Sequence, residues 1–155
     1  MNKFVSFAKF ALLFAGCAFV VSSCTEEDED PSIIGSWVFT DAVFNPAVMI
    51  DSVMVTDAYN LFFSDACDQD NLIIIQDGGI QISDQGVLLC DSTALQQVTG
   101  SYTYEGSTFI AIETSTGDTT FVITNVAITS TTMTGSISTE FNDESTNVDV
   151  TLTRQ

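Results

Sequence analysis

The chain is predicted to be all-β, an antiparallel up-and-down barrel of about eight strands with one short helix. Three observations predict it. From residue 33 onward threonine, valine, isoleucine and aromatic residues dominate, the types that suit a half-buried pleated surface. Turn residues recur about every ten positions, as in Asn45-Pro46, Asp77-Gly78-Gly79 and Glu105-Gly106-Ser107. Helical spacing is confined to one stretch, 56–66. A two-sheet sandwich would leave the same signature. A barrel is preferred because closure removes exposed sheet edges.

The first 23 residues read as an address. Lys3 and Lys9 make a positive start, and 10–21 is an uninterrupted run of apolar and small residues. A run of about 12 suits the core of a signal peptide, whereas a spanning helix needs about 20. Val21-Ser22-Ser23-Cys24 resembles a bacterial lipobox: an aliphatic residue, two small ones, then cysteine. That likeness implies cleavage before Cys24 and a diacylglyceryl group on its sulfur. Cys17 competes, but Phe14 fits poorly where an aliphatic is expected, and more apolar sequence follows.

Residues 24–32 form an acidic tether. Glu26-Glu27-Asp28-Glu29-Asp30 repel one another and bury nothing, so they are not expected to fold alone. The run resembles the acidic surface-export signal that follows the acylated cysteine in lipoproteins of Bacteroidota. It implies attachment to the outer membrane, facing the cell exterior; the periplasmic face is the alternative.

The domain spans 33–155. Strands are predicted at 33–44, ended by Asn45-Pro46, and at 47–55, where Val48, Ile50, Val53 and Val55 sit among polar positions. The helix is predicted at 56–66, with Thr56 or Asp57 as cap and Ala58, Leu61, Phe62 and Ala66 at helical spacing. Further strands follow at 71–76, 80–83, 98–105, 108–114, 119–126, 131–139 and 147–154. Alternation is clearest where Phe121, Ile123 and Asn125 oppose Val122, Thr124 and Val126. Both sets contain apolar residues, so the inward face stays open. Met49, Met54 and Met133 are expected to fill gaps in the core.

Two cysteines remain in the domain, Cys67 and Cys90. An even count in an oxidising compartment favours a disulfide, expected to pin the helix to the sheet. Closing a loop of this length stabilises by roughly 3 kcal/mol on chain-entropy grounds. A redox or metal pair would call for CxxC spacing or a histidine partner, and neither is present.

Ile33-Ile34-Gly35-Ser36-Trp37 resembles the Gly-x-Trp opening of lipocalins, and more closely that of lipocalin-like lipoproteins of Bacteroidota. The likeness continues through Cys67, 70–75 and Asp77-Gly78-Gly79, then Cys90. Gly100-Ser101-Tyr102 looks like a second Gly-x-aromatic strand, with tyrosine in place of the usual tryptophan. Residues 121–123 and 131–135 resemble the closing strands. The resemblance implies a lipocalin-like barrel in which Gly35 lets the first strand approach the floor and Trp37 closes it. It implies little about activity.

Charge and composition narrow the function. The chain has 21 acids, three bases and no histidine, for a net charge of −18. Removing the segment with Lys3 and Lys9 leaves Arg154 against all 21 acids, 1 − 21 = −20. Such a surface repels phosphate backbones, so no nucleic-acid partner is expected. Without histidine there is no Ser-His-Asp triad and no imidazole ligand, so neither catalysis nor a metal or other cofactor is expected. Asp65, Asp68 and Asp70 suggest a calcium loop, but no glycine or glutamate stands at the required EF-hand positions, and a solvated turn is the better reading. Glu113 would be half of a carboxylate pair, though alternation places it toward solvent. The expectation is a lipid-anchored, monomeric protein that binds a small apolar ligand in its barrel. The rival is a non-catalytic module binding a protein or glycan at the outer membrane.

Overall fold

The computed structural model describes residues 31–114, 116–141 and 144–155. The predicted signal segment, Cys17, Cys24 and the acids at 26–30 lie outside the described residues. Nine strands and two one-turn helices follow in order: β1 Gly35–Ile50, β2 Val53–Asp57, α1 Tyr59–Phe62, α2 Ala66–Gln69, β3 Leu72–Gln76, β4 Ile80–Asp84, β5 Gln97–Glu105, β6 Thr108–Glu113, β7 Thr119–Ile128, β8 Thr132–Phe141 and β9 Glu144–Arg154. Each strand pairs antiparallel with its neighbours. The order β1-β3-β4-β5-β6-β7-β8-β9 returns to β1, so eight strands close a barrel, and β2 lies outside that ring.

β1 organises the barrel through its length. Its whole middle pairs β9, from Trp37↔Arg154 to Asn45↔Asn147. On its other side, 35–38 pair β3 and 48–50 pair β2. The first predicted strand therefore does not end at Asn45-Pro46. Pro46 has no N–H to give a ladder, but it sits between Asn45↔Asn147 and Val48↔Val55, in the register shift between Val43 and Val48, where no donor is called for. The real turn is Asp51-Ser52, both at positive φ (48° and 69°), which is the two-residue geometry that matches strand twist. Met49 and Met54 face each other on this hairpin, 56 % and 60 % exposed, so of the three methionines only Met133 is a core residue.

The predicted helix at 56–66 is two separate turns. Asp57 holds the first, accepting from Asn60 N at 3.0 Å and Asn60 Nδ2 at 2.6 Å. Ala58, buried, donates its N–H to Ala42 O at 2.9 Å, which fixes α1 against β1. Asp65 then starts α2. The β2–α1–α2 excursion carries the chain back to β3, on the side of β1 that β2 occupies further along.

Two bulges decide which residues face inward. Trp37 and Phe39 point into the barrel; at the irregularity between Phe39 and Asp41 the phase changes, and Ala42 and Phe44 take over. In β7, Phe121 and Ile123 point inward, Asn125 adopts φ 54°, and Val126 becomes the next buried side chain. Asparagine tolerates that left-handed conformation better than most residues. The core joins these to Ile73, Ile75, Phe109, Ala111, Met133, Val148, Val150 and Leu152.

Candidate functional site

The two ends of the barrel differ. One end is closed by short connections: Asp77-Gly78-Gly79, with both glycines at positive φ, and Gly106-Ser107. Trp37 lies buried here. Its Nε1 donates to Ile33 O at 2.8 Å, and the Arg154 guanidinium sits 4.5 Å over its ring. Arg154 also donates to Ile34 O at 2.7 Å and Ser32 O at 2.6 Å, tying the last strand to the segment before the first. Gly35 leaves the space: a Cβ there would stand 2.6 Å from the guanidinium. Gly35 and Trp37 thus pack together at this closed end, which forms the floor of the barrel. Arg154, the sole base among the described residues, is the third member, and nothing in its terminal sequence position signalled it.

The other end is open and carries the long connections 58–71 and 85–96. Phe63, just after α1, stacks on Phe39 with ring centroids 5.3 Å apart and touches Tyr59 at 5.1 Å. It divides two cavities. On one side, about 160 Å³ is bounded by Phe39, Ala42, Phe62, Ile137 and Val148. On the other, about 310 Å³ is bounded by Phe39, Ile73, Leu95, Val98 and Phe121. Next to the larger chamber, sharing Ser83, Val98 and Thr120 with it, is a third space of about 230 Å³ whose wall adds Gln81, Gly100 and Glu113.

This third space corrects one expectation. Glu113 does not lie on the outer face of β6. It follows Phe109 and Ala111 on the inner face of β6, is half-buried, and pairs across the ladder with Gly100. β4 is inverted in the same sense, with Gln81 buried inward and Ile80 exposed. Gly100 makes this fit: a Cβ there would meet Ile112 O at 2.5 Å and Gln81 Oε1 at 2.9 Å. Tyr102 stacks on Phe109 at 5.4 Å and donates its hydroxyl to Gln76 O at 3.3 Å; burial, then Asp77, push its pKa up. Gly100 and Tyr102 thus line the barrel wall.

Cys67 and Cys90 form the disulfide, with Cα atoms 5.3 Å apart. It joins α2 to the 85–96 loop and not to the sheet. Asp68 lies beside it, but bonded sulfurs are not free to hold a metal. Asp70 is not part of a solvated turn: its carboxylate accepts from Val87 N at 2.8 Å and Leu88 N at 2.9 Å, clamping the same loop. Asp65 begins α2, so the three aspartates have separate places and form no single cation site.

Asp84 is the second clamp. It accepts from Gln97 Nε2 at 2.6 Å, Gln96 Nε2 at 2.9 Å and Gly86 N at 2.9 Å, and these bonds hold its pKa below the usual 3.8. A depressed folded value means that the stabilisation is present above 3.8 and is lost as pH falls through the folded value. The Asp84 carboxyl carbon is therefore expected to titrate below 3.8 by NMR. Protection of the 86–96 amides should fall in the same pH interval, and Asp84→Asn should remove that component. A midpoint above 3.8 would contradict the arrangement.

Compared with protein-family models, curated proteins and solved structures, the chain matches none.

Proposed function

We propose that the protein is a lipid-anchored binding protein of the outer membrane, displayed on the cell exterior, which takes a small apolar ligand into the open end of its barrel. The observation that carries this reading is the chamber of about 310 Å³ beside Phe39, Phe63, Leu95, Val98 and Phe121, open at the end opposite the Trp37 floor. Its volume and mostly apolar wall suit a small-molecule site. The lipobox likeness at Cys24, the acidic run behind it and the Gly35-x-Trp37 opening support anchoring, display and a lipocalin-like character. The lack of histidine supports binding over catalysis.

The test is native mass spectrometry of protein purified from its own host, as wild type and as Val98→Trp. Val98 is 40 % exposed and borders the chamber, so an indole there should fill it with little loss of stability. The wild type should retain a small molecule that the variant has lost by about tenfold or more, as expected when a pocket is blocked. A wild-type spectrum showing only the acylated polypeptide would remove the main support. Protease shaving of intact cells should release the domain; protection would place it on the periplasmic face.

A second reading has its own support. Val87 (90 % exposed), Leu88, Leu89 and Leu95 lie on one loop pinned by the disulfide and two aspartates. Four exposed aliphatic side chains on a restrained loop suit contact with a partner protein. Leu88→Asp with Leu89→Asp would abolish such contact and leave small-molecule retention intact.

A further inference from the structure

We propose that the ligand is amphipathic and cationic: an apolar tail in the Phe39–Phe63–Phe121 chamber and a protonated amine against Glu113, Gln81 and Ser83. This rests on the ligand-binding reading above and names the chemistry of that same site. Its basis is the junction of the two spaces. The apolar chamber and the polar recess share Ser83, Val98 and Thr120, so a molecule entering the mouth meets both.

The recess is built for donors. Gln81 is a polar side chain only 3 % exposed, held inside the barrel by the absence of a side chain at Gly100. Its Nε2 donates to Ser83 Oγ at 2.8 Å, which turns its carbonyl oxygen toward Gly100. Glu113, opposite Gly100 in the ladder, adds a carboxylate whose Oε2 accepts the Thr116 hydroxyl at 3.4 Å. The recess therefore offers a carboxylate, an amide oxygen and a hydroxyl oxygen. An ammonium group, with three donors and no acceptor, is their complement.

The residues that line the recess include no base to balance an anion. Arg154, the sole base among the described residues, lies at the closed end over Trp37. The field of the whole chain acts in the same direction, since an excess of acids attracts cations and repels anions at the mouth. A fatty carboxylate would bring its charge against Glu113 with no partner to balance it. The apolar chamber alone would select for a tail and be indifferent to the head; the recess supplies the discrimination.

Three probes of equal chain length separate these contributions: octylamine, octanol and octanoate, titrated calorimetrically into the acylated protein near neutral pH. Octylamine should bind about tenfold or more tightly than octanol, and octanoate should be weakest, as charge-assisted hydrogen bonds are about twice as strong as neutral ones. Glu113→Gln should reduce the amine preference to within about threefold while octanol binds as before, which also reports that the barrel is intact. Glu105→Gln removes an equal charge at the closed end and should leave the preference in place. On the wild type, octylamine should shift the Gln81 side-chain amide resonances in 15N spectra.

The outcomes are distinct. Equal binding of all three probes, or a preference for octanoate, overturns the cationic head and leaves the apolar pocket standing. Equal loss in Glu105→Gln and Glu113→Gln also overturns it, because bulk charge would then be the cause. If none of the three binds, the head-group assignment and the ligand-binding reading both fall.

Discussion

Trp37→Ala is expected to destabilise the domain by about 3–5 kcal/mol, the range for emptying a large aromatic site in a closed core. Trp37 is among the largest side chains with no exposed surface, and three things depend on it. Its ring fills the floor, its Nε1 satisfies Ile33 O, and its face supports the Arg154 guanidinium. Domains of this size have only about 5–15 kcal/mol in total, so the variant should be close to its unfolding threshold at room temperature. Trp37→Phe keeps most of the volume and loses the hydrogen bond and part of the cation–π contact, so it should cost about 1–2 kcal/mol. Urea unfolding followed by circular dichroism measures both. A double-mutant cycle with Arg154→Met should return a coupling of about 1 kcal/mol. A Trp37→Ala loss below 1 kcal/mol would mean that the floor is not the keystone of closure.

The barrel could be read from the chain because its evidence is local. Turn chemistry at Asp77-Gly78-Gly79 and Glu105-Gly106-Ser107 marks hairpins whatever their surroundings. What could not be read depends on partners far away in sequence. Asn45-Pro46 looked like a strand end because proline interrupts a ladder; here β1 changes partner from β9 to β2, so the missing donor has no place to be missed. The Asp51-Ser52 turn went unseen because neither residue is glycine, although both adopt positive φ. The inward face of β7 was undecidable for a physical reason. Both alternating sets are used, one on each side of the bulge at Asn125, so no single phase was correct.

The site was less legible than the fold. Its apolar part comes from Phe39 and Phe63, which are distant in the chain and meet only when α1 lies across β1. Its polar part was harder to see. The inward face of 80–83 stays open in the sequence, and Glu113 within an apolar strand suggests a solvent-facing exception. The structure turns Gln81 and Glu113 to the inner face, and the signal lay in Gly100. A glycine in the middle of a strand marks a place where other groups come close, and its ladder partners are Gln81 and Glu113.

Replacing both Cys67 and Cys90 with alanine is expected to lower stability by about 3 kcal/mol, within the range for removing a native disulfide. The bond closes 23 residues of sequence and spans the mouth, joining α2 to the 85–96 loop. Two roles are separable. If the bond only restricts the unfolded chain, the variant unfolds at lower urea and binds octanol as tightly as the wild type. If it also shapes the mouth, affinity falls too, because Leu95 borders the apolar chamber and sits on the tethered loop. The carboxylate clamps argue that shaping is shared. Asp70 holds Val87 and Leu88, and Asp84 holds Gly86 with Gln96 and Gln97, so the loop keeps two anchors when the sulfurs are removed. At neutral pH the variant should therefore lose stability with a smaller loss of affinity. Below pH 3.8, where the Asp84 clamp is progressively protonated, hydrogen exchange across 86–96 should rise more steeply in the variant than in the wild type. Equal exchange in the two proteins at every pH would mean that the disulfide stabilises the fold without holding the mouth.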